Sequence, residues 1–85
     1  GPLTYQIDML SRREYQHWLN RSNSVIKAGS WNESAIVLFK QEMKQFQKRK
    51  NKKNKDCRQG KISYDELMEW YSKERAYLQA WMASH

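Results

Sequence analysis

The sequence predicts a mainly α-helical domain in which a short N-terminal strand precedes three helices. Its 85 residues are enough for one domain. Apolar residues recur at helical spacing in three long stretches, and a shorter stretch at the N-terminus alternates apolar and polar residues. In front of each helical stretch a Ser is followed three residues later by Glu, the spacing of a helix capping box. These pairs are Ser11 with Glu14, Ser30 with Glu33, and Ser63 with Glu66.

The N-terminal segment from Leu3 to Met9 is predicted to be a strand, because its apolar residues recur with period two. No second strand is predicted elsewhere in the chain. A lone strand leaves its backbone unpaired, so we expect it to pair with a second chain in a homodimer. The alternative fold is a monomeric three-helix bundle. Gly1 and Pro2 are interpreted as the remnant of a cleaved purification tag and are left out of the fold prediction.

Three helices follow the predicted strand. The first runs from Arg12 to about Ala28 and stops at Gly29. The second begins near Trp31 and continues as a poorly packed, lysine-rich extension that ends before Gly60. The third spans residues 64 to about 83 and has an unusually wide apolar surface. Within the single domain, this divides the chain into a strand-helix-helix unit (3–46), a basic extension or linker (47–61) and a C-terminal aromatic helix (62–85).

Positive charge is concentrated in one segment. The chain has a formal net charge of +7, and residues 40–61 hold ten of its sixteen basic residues against two acids, Glu42 and Asp56. A localised cationic surface favours nucleic acid as the partner, because each Lys or Arg near a phosphate releases a condensed counterion. The alternatives are an anionic membrane surface and a solvated linker that only keeps the protein soluble. The predicted contacts are Lys40, Lys44, Lys48, Arg49, Lys50, Lys52, Lys53, Lys55, Arg58 and Lys61.

Catalytic and metal-binding chemistry finds little support in the sequence. The one cysteine, Cys57, lies in what we expect to be a flexible basic loop, and His17 and His85 have no partners at metal-ligand or catalytic spacing. We therefore predict no enzyme activity, no metal and no cofactor. No apolar run is long enough to span a membrane, and we expect a cytoplasmic protein that does not bind membranes.

Residues 3–46 resemble a ribbon-helix-helix DNA-binding unit. The alternating segment is followed by Ser-Arg-Arg-Glu at 11–14, a Gly-Ser-Trp-Asn turn at 29–32 and a second helix opening Glu-Ser-Ala-Ile. In that family two strands pair antiparallel and their outward residues enter the major groove. The resemblance implies that Thr4, Gln6 and Asp8 face base edges, and that Ser30 and the amides of residues 31 and 32 hold a phosphate.

A second, fainter resemblance concerns residues 39–81. Phe39 to Lys44, the Gly-Lys-Ile-Ser at 60–63, Tyr77 and Trp81 are similar to the basic helical segment that closes some group II intron and retron-type reverse transcriptases. This resemblance also implies nucleic acid and a mobile genetic element.

The favoured function is binding of duplex DNA, as a repressor or as an accessory factor in plasmid or transposon processing. One alternative is a protein-interaction module in which residues 64–82 present Trp70, Tyr77 and Trp81 to a partner, since Trp and Tyr dominate binding hot spots. A further alternative is an RNA or single-strand binder that stacks the same rings on bases.

Overall fold

A computed structural model describes all 85 residues and contains three α-helices and no strand. The helices are α1 (Pro2–Lys27), α2 (Glu33–Arg58) and α3 (Tyr64–Ser84). They form an elongated three-helix bundle of 42 × 17 × 17 Å, in which α2 packs against both of the other helices. The alternative fold of the sequence analysis, three helices without a strand, is therefore the one observed. None of the helices combines the length and the apolar composition that a bilayer span requires.

The strand predicted over residues 3–9 is wrong, because α1 already begins at Pro2. Proline suits the first helical position, where its missing N–H would have no partner in any case. Leu3, Ile7 and Leu10 are also spaced as on a helix, and Ile7 is fully buried whereas Tyr5 is 67% exposed. Burial therefore follows the helical period rather than the period of two. Without a strand, the antiparallel strand pairing that we predicted for the homodimer cannot form. Dimerisation itself stays a prediction.

Only one of the three predicted capping boxes forms at the start of a helix. Ser63 and Glu66 form the predicted capping box, with the Ser63 hydroxyl accepting from the Glu66 amide at 3.1 Å. The other two boxes are wrong. Ser11 lies within α1, and α2 is capped by Asn32, whose side chain accepts from the Ala35 amide at 2.8 Å. The backbone at Ser30 still belongs to the turn that ends α1, so α2 cannot begin there.

The two predicted glycine stops are confirmed. Gly29 and Gly60 have positive φ angles of 71° and 76°, which residues with a side chain rarely adopt. After each glycine the chain turns in the same way: the glycine amide and the next amide bond back to carbonyls of the last helical turn, as in a Schellman motif. These turns set the antiparallel order of the helices.

The core runs the length of the bundle and extends into the lysine-rich part of α2. Its largest fully buried side chains are Trp18, Tyr71, Phe46, Ile7, Leu67 and Leu78. Cys57 is buried as well, so the flexible loop predicted around it is wrong; α2 continues to Arg58. Burial raises the pKa of the Cys57 thiol, which disfavours the reactive thiolate.

Candidate nucleic-acid interface

Five lysines lie on the outer face of α2 and form what we call the lysine stripe: Lys40, Lys44, Lys48, Lys52 and Lys55. All five are exposed. Their spacing of three and four residues keeps them within about 120° of the helix circumference, and they extend over ~22 Å of helix axis. The stripe faces outward because α2 turns its opposite side, with Phe39, Phe46 and Cys57, into the core.

The lysine stripe is largely free of acidic partners. Lys52 lies 3.6 Å from Asp56, and no carboxylate lies within 4.0 Å of the other four ammonium groups. The whole of α2 has nine basic and three acidic residues, whereas α3 has more acids than bases. Positive charge is therefore densest along α2, where it can attract a polyanion.

Two of the predicted basic contacts are instead engaged within the bundle. Arg49 makes a bidentate ion pair with Glu74 of α3, at 2.7 and 2.9 Å, and this hydrogen bonding raises the pKa of the guanidinium. Arg58 lies 3.7 Å from Asp8 of α1. These arginines link α2 to its neighbours. Lys53 is half-buried and Lys61 is exposed in the α2–α3 turn, and neither has an ion-pair partner.

Lys50 is buried rather than displayed at the surface. It is 4% exposed, its Nζ donates to the Ser11 carbonyl at 3.4 Å, and its ammonium lies 5.3 Å from the centre of the Tyr15 ring. Desolvation lowers the pKa of Lys50, although the negative charge of Glu14 acts in the opposite direction. The structure thus places this predicted contact away from any approaching phosphate.

Replacing Lys50 by methionine is expected to leave DNA affinity unchanged, because the ammonium does not reach the surface. Folding stability should be unchanged or higher, since the apolar side chain removes a charge that is desolvated on folding. Fluorescence anisotropy with a 20-base-pair duplex and urea unfolding measure the two effects. Lys48→Met, two positions away on the lysine stripe, is the matched control and should weaken binding. Equal losses of affinity in the two variants would show that Lys50 does reach the nucleic acid.

The structure separates the remaining predicted DNA contacts. On a strand, Thr4, Gln6 and Asp8 would share one face; on α1, successive members of this set are rotated by about 200° from one another. Thr4 and Gln6 are exposed in the first turns of α1, whereas Ser30 is exposed in the α1–α2 turn at the other end of α1. The ribbon-helix-helix arrangement, in which these residues act together, is not formed by this fold.

The aromatic residues of α3 mostly serve the core. Trp70 is half-buried and stacks parallel to Phe46, with ring centres 6.3 Å apart. Trp81 is half-buried and packs edge-on against Trp31 at 5.7 Å. Tyr77 is 48% exposed and donates its hydroxyl to Glu42 at 3.0 Å, which raises the pKa of the phenol. Of the three predicted partner contacts, Tyr77 alone is exposed.

A buried polar cluster was missed by the sequence analysis. Glu14 is 6% exposed and accepts a hydrogen bond from Arg75 of α3, which joins the first and last helices. Nearby in the core, Tyr71 donates to the Asn54 side-chain carbonyl at 2.9 Å, and burial raises the pKa of Tyr71 to about 12. Each of these groups is paired, as buried polar groups require. Nowhere in the structure do three or more acids, histidines or cysteines come together in a group that could hold a metal ion.

Comparisons with known proteins give no further indication of family or activity. No protein-family model matches the sequence, and no curated protein or solved structure shows significant similarity to it.

Proposed function

We propose that this protein binds nucleic acid through the lysine stripe, with duplex DNA as the favoured ligand. The observation that carries the proposal is the presence of four lysines without carboxylate partners on one face of a 26-residue helix. Packing against α1 and α3 holds this helix in place, so the ammonium groups are presented along a line rather than on a mobile tail. Such a surface gains affinity from counterion release without reading a base sequence.

Duplex is favoured over single-stranded ligands because of what surrounds the lysine stripe. Single-strand binders combine a basic groove with exposed aromatic rings on which bases stack. Here Tyr15 is the one exposed ring beside the lysine stripe, whereas Trp70 and Trp81 are half-buried on α3 and already pack against other rings. A regular row of cations spaced ~6 Å apart suits the regular phosphates of a duplex backbone. Backbone binding of this kind would suit the accessory role that we expect from the sequence, whereas the repressor role would need base contacts in addition.

The salt dependence of binding tests this proposal. If the five lysines each neutralise one phosphate, log Kd should change with log salt concentration with a slope of about 4 to 5. Affinity would then fall by roughly 500-fold between 50 and 200 mM salt. Anisotropy titrations with a duplex measure the slope, and a single-stranded oligonucleotide of equal length serves as competitor. A flat response, or preference for the single strand, would contradict the proposal.

A further inference from the structure

A groove of about 510 Å³ runs between α1 and α2, and every residue that lines it comes from these two helices. Its floor is aliphatic and consists mainly of Leu19, Ile26, Ile36 and Met43. The floor is incompletely covered: Ile26 is 37% exposed and the other three are half-buried. An apolar groove that a small bundle leaves open is a typical feature of a binding site for another molecule.

One wall of the groove is positively charged. Lys40, Lys44 and Lys48, the N-terminal part of the lysine stripe, line it at intervals of four residues. No acidic residue lines the groove, and none of these lysines has a carboxylate within 4.0 Å. An occupant that carries acids beside an apolar surface would complement both the floor and the wall.

We propose that this groove binds an acidic amphipathic helix of a partner protein. A helix with apolar residues three and four positions apart covers an aliphatic floor, as in other helix-in-groove complexes. Acids four positions apart on its flank recur every ~6 Å, which matches the spacing of Lys40, Lys44 and Lys48. With the helix in place, α1 and α2 are covered on a second side and the assembly becomes a four-helix bundle.

Two other occupants fit less well. A second copy of this chain in a two-fold symmetric contact would bring one lysine wall against another, and like charges repel. Single-stranded nucleic acid would satisfy the wall but not the floor, because bases stack on rings. Tyr15 is the one exposed ring that lines the groove, since Phe39 is only 2% exposed.

The test uses the complete chain and synthetic 18-residue helical peptides. The probe peptide carries leucines along one stripe and glutamates four apart along its flank; a matched peptide has lysine at each glutamate position. We expect the acidic peptide to bind and the basic one not to bind, as measured by anisotropy.

Ile26→Ser should weaken binding of the acidic peptide by about three- to tenfold, because the groove floor loses apolar surface. Val37→Ser, at a residue that is 54% exposed outside the groove, should change it less than twofold.

Circular dichroism first confirms that both variants are folded. If folding of the Ile26→Ser variant is affected, Ile26→Ala replaces it as the floor variant, because alanine removes apolar surface from the groove without adding a polar group and favours the helix. Equal binding of the acidic and basic peptides, or equal effects of the Ile26 and Val37 variants, would overturn the proposal. Loss of DNA affinity in the Ile26→Ser variant would also overturn it, since the groove floor would then belong to the nucleic-acid site. The duplex titration of the unsubstituted protein tests nucleic-acid binding separately. The groove proposal and the proposed function can therefore fail independently of each other.

Discussion

Replacing Lys44, Lys48 and Lys55 together by glutamine is expected to weaken duplex binding by at least about 100-fold at 0.1 M salt. The three ammonium groups have no carboxylate partners and face solvent on one side of α2. Removing them should lower the slope of log Kd against log salt concentration by about 2.7, which is the share of three phosphate contacts. Glutamine preserves helix propensity, so the thermal midpoint should hardly change. Anisotropy titrations at several salt concentrations measure both quantities.

The matched control removes three unpaired cations from α1. Arg13, Arg21 and Lys27 are exposed and have no ion-pair partner, and their replacement by glutamine lowers the net charge by the same three units. We expect this variant to lose less than tenfold in affinity. If both triple variants weaken binding equally, net charge rather than the placement of the lysines governs association.

Replacing Glu14 by alanine is expected to lower the free energy of unfolding by about 3 kcal/mol. The Glu14 side chain is 7% exposed, it pairs with Arg75, and its charge favours the protonated form of the buried Lys50. Without it, Lys50 would remain desolvated with no negative charge nearby, and α1 would lose its ion pair with α3. For a bundle of 85 residues, a loss of this size is a large part of the total stability. Urea unfolding followed by circular dichroism measures the change.

Glu69→Ala is the control for this experiment. Glu69 also pairs with a basic residue, Lys73, but both side chains are at least 70% exposed. Exposed pairs one helical turn apart contribute only about 0.3 to 0.5 kcal/mol. A similar loss of stability in the two variants would show that burial of Glu14 does not strengthen its interactions.

The sequence was sufficient to predict the helix ends that depend on local chemistry. Gly29 and Gly60 provide the positive φ that a helix stop needs, and Ser63 with Glu66 provides a capping box, whatever the rest of the chain does. The start of α2 depends on more than this. Ser30 has the right spacing to Glu33, but the turn closed by Gly29 still includes Ser30, which leaves Asn32 as the cap.

The error at the N-terminus arose because seven residues are too few to distinguish two periods. Leu3, Tyr5, Ile7 and Met9 alternate as in a strand, while Leu3, Ile7 and Leu10 also share one face of a helix. Pro2 would have favoured the helix, since it occupies a position where proline is common. Treating Pro2 as a tag remnant discarded that signal.

The lysine-rich segment was predicted to be poorly packed because its composition was considered without the helical spacing of its buried residues. Phe39, Met43, Phe46, Lys50 and Cys57 follow one another at helical spacing, so the core stripe passes through the charged run. That spacing could have singled out Lys50 as buried. The pairing of Glu14 with Arg75 could not have been found in this way, because 61 residues separate them and only the packing of α1 against α3 brings them together.

The most direct test of the lysine stripe as a nucleic-acid interface is an NMR titration of the uniformly 15N-labelled protein with a 20-base-pair duplex at low salt. Binding through the outer face of α2 predicts that the largest amide shift changes occur at Lys44, Lys48, Asn51 and Lys55, and that they disappear as salt is added. Changes concentrated on α3 around Trp70 and Tyr77, or no changes at any salt concentration, would contradict this account.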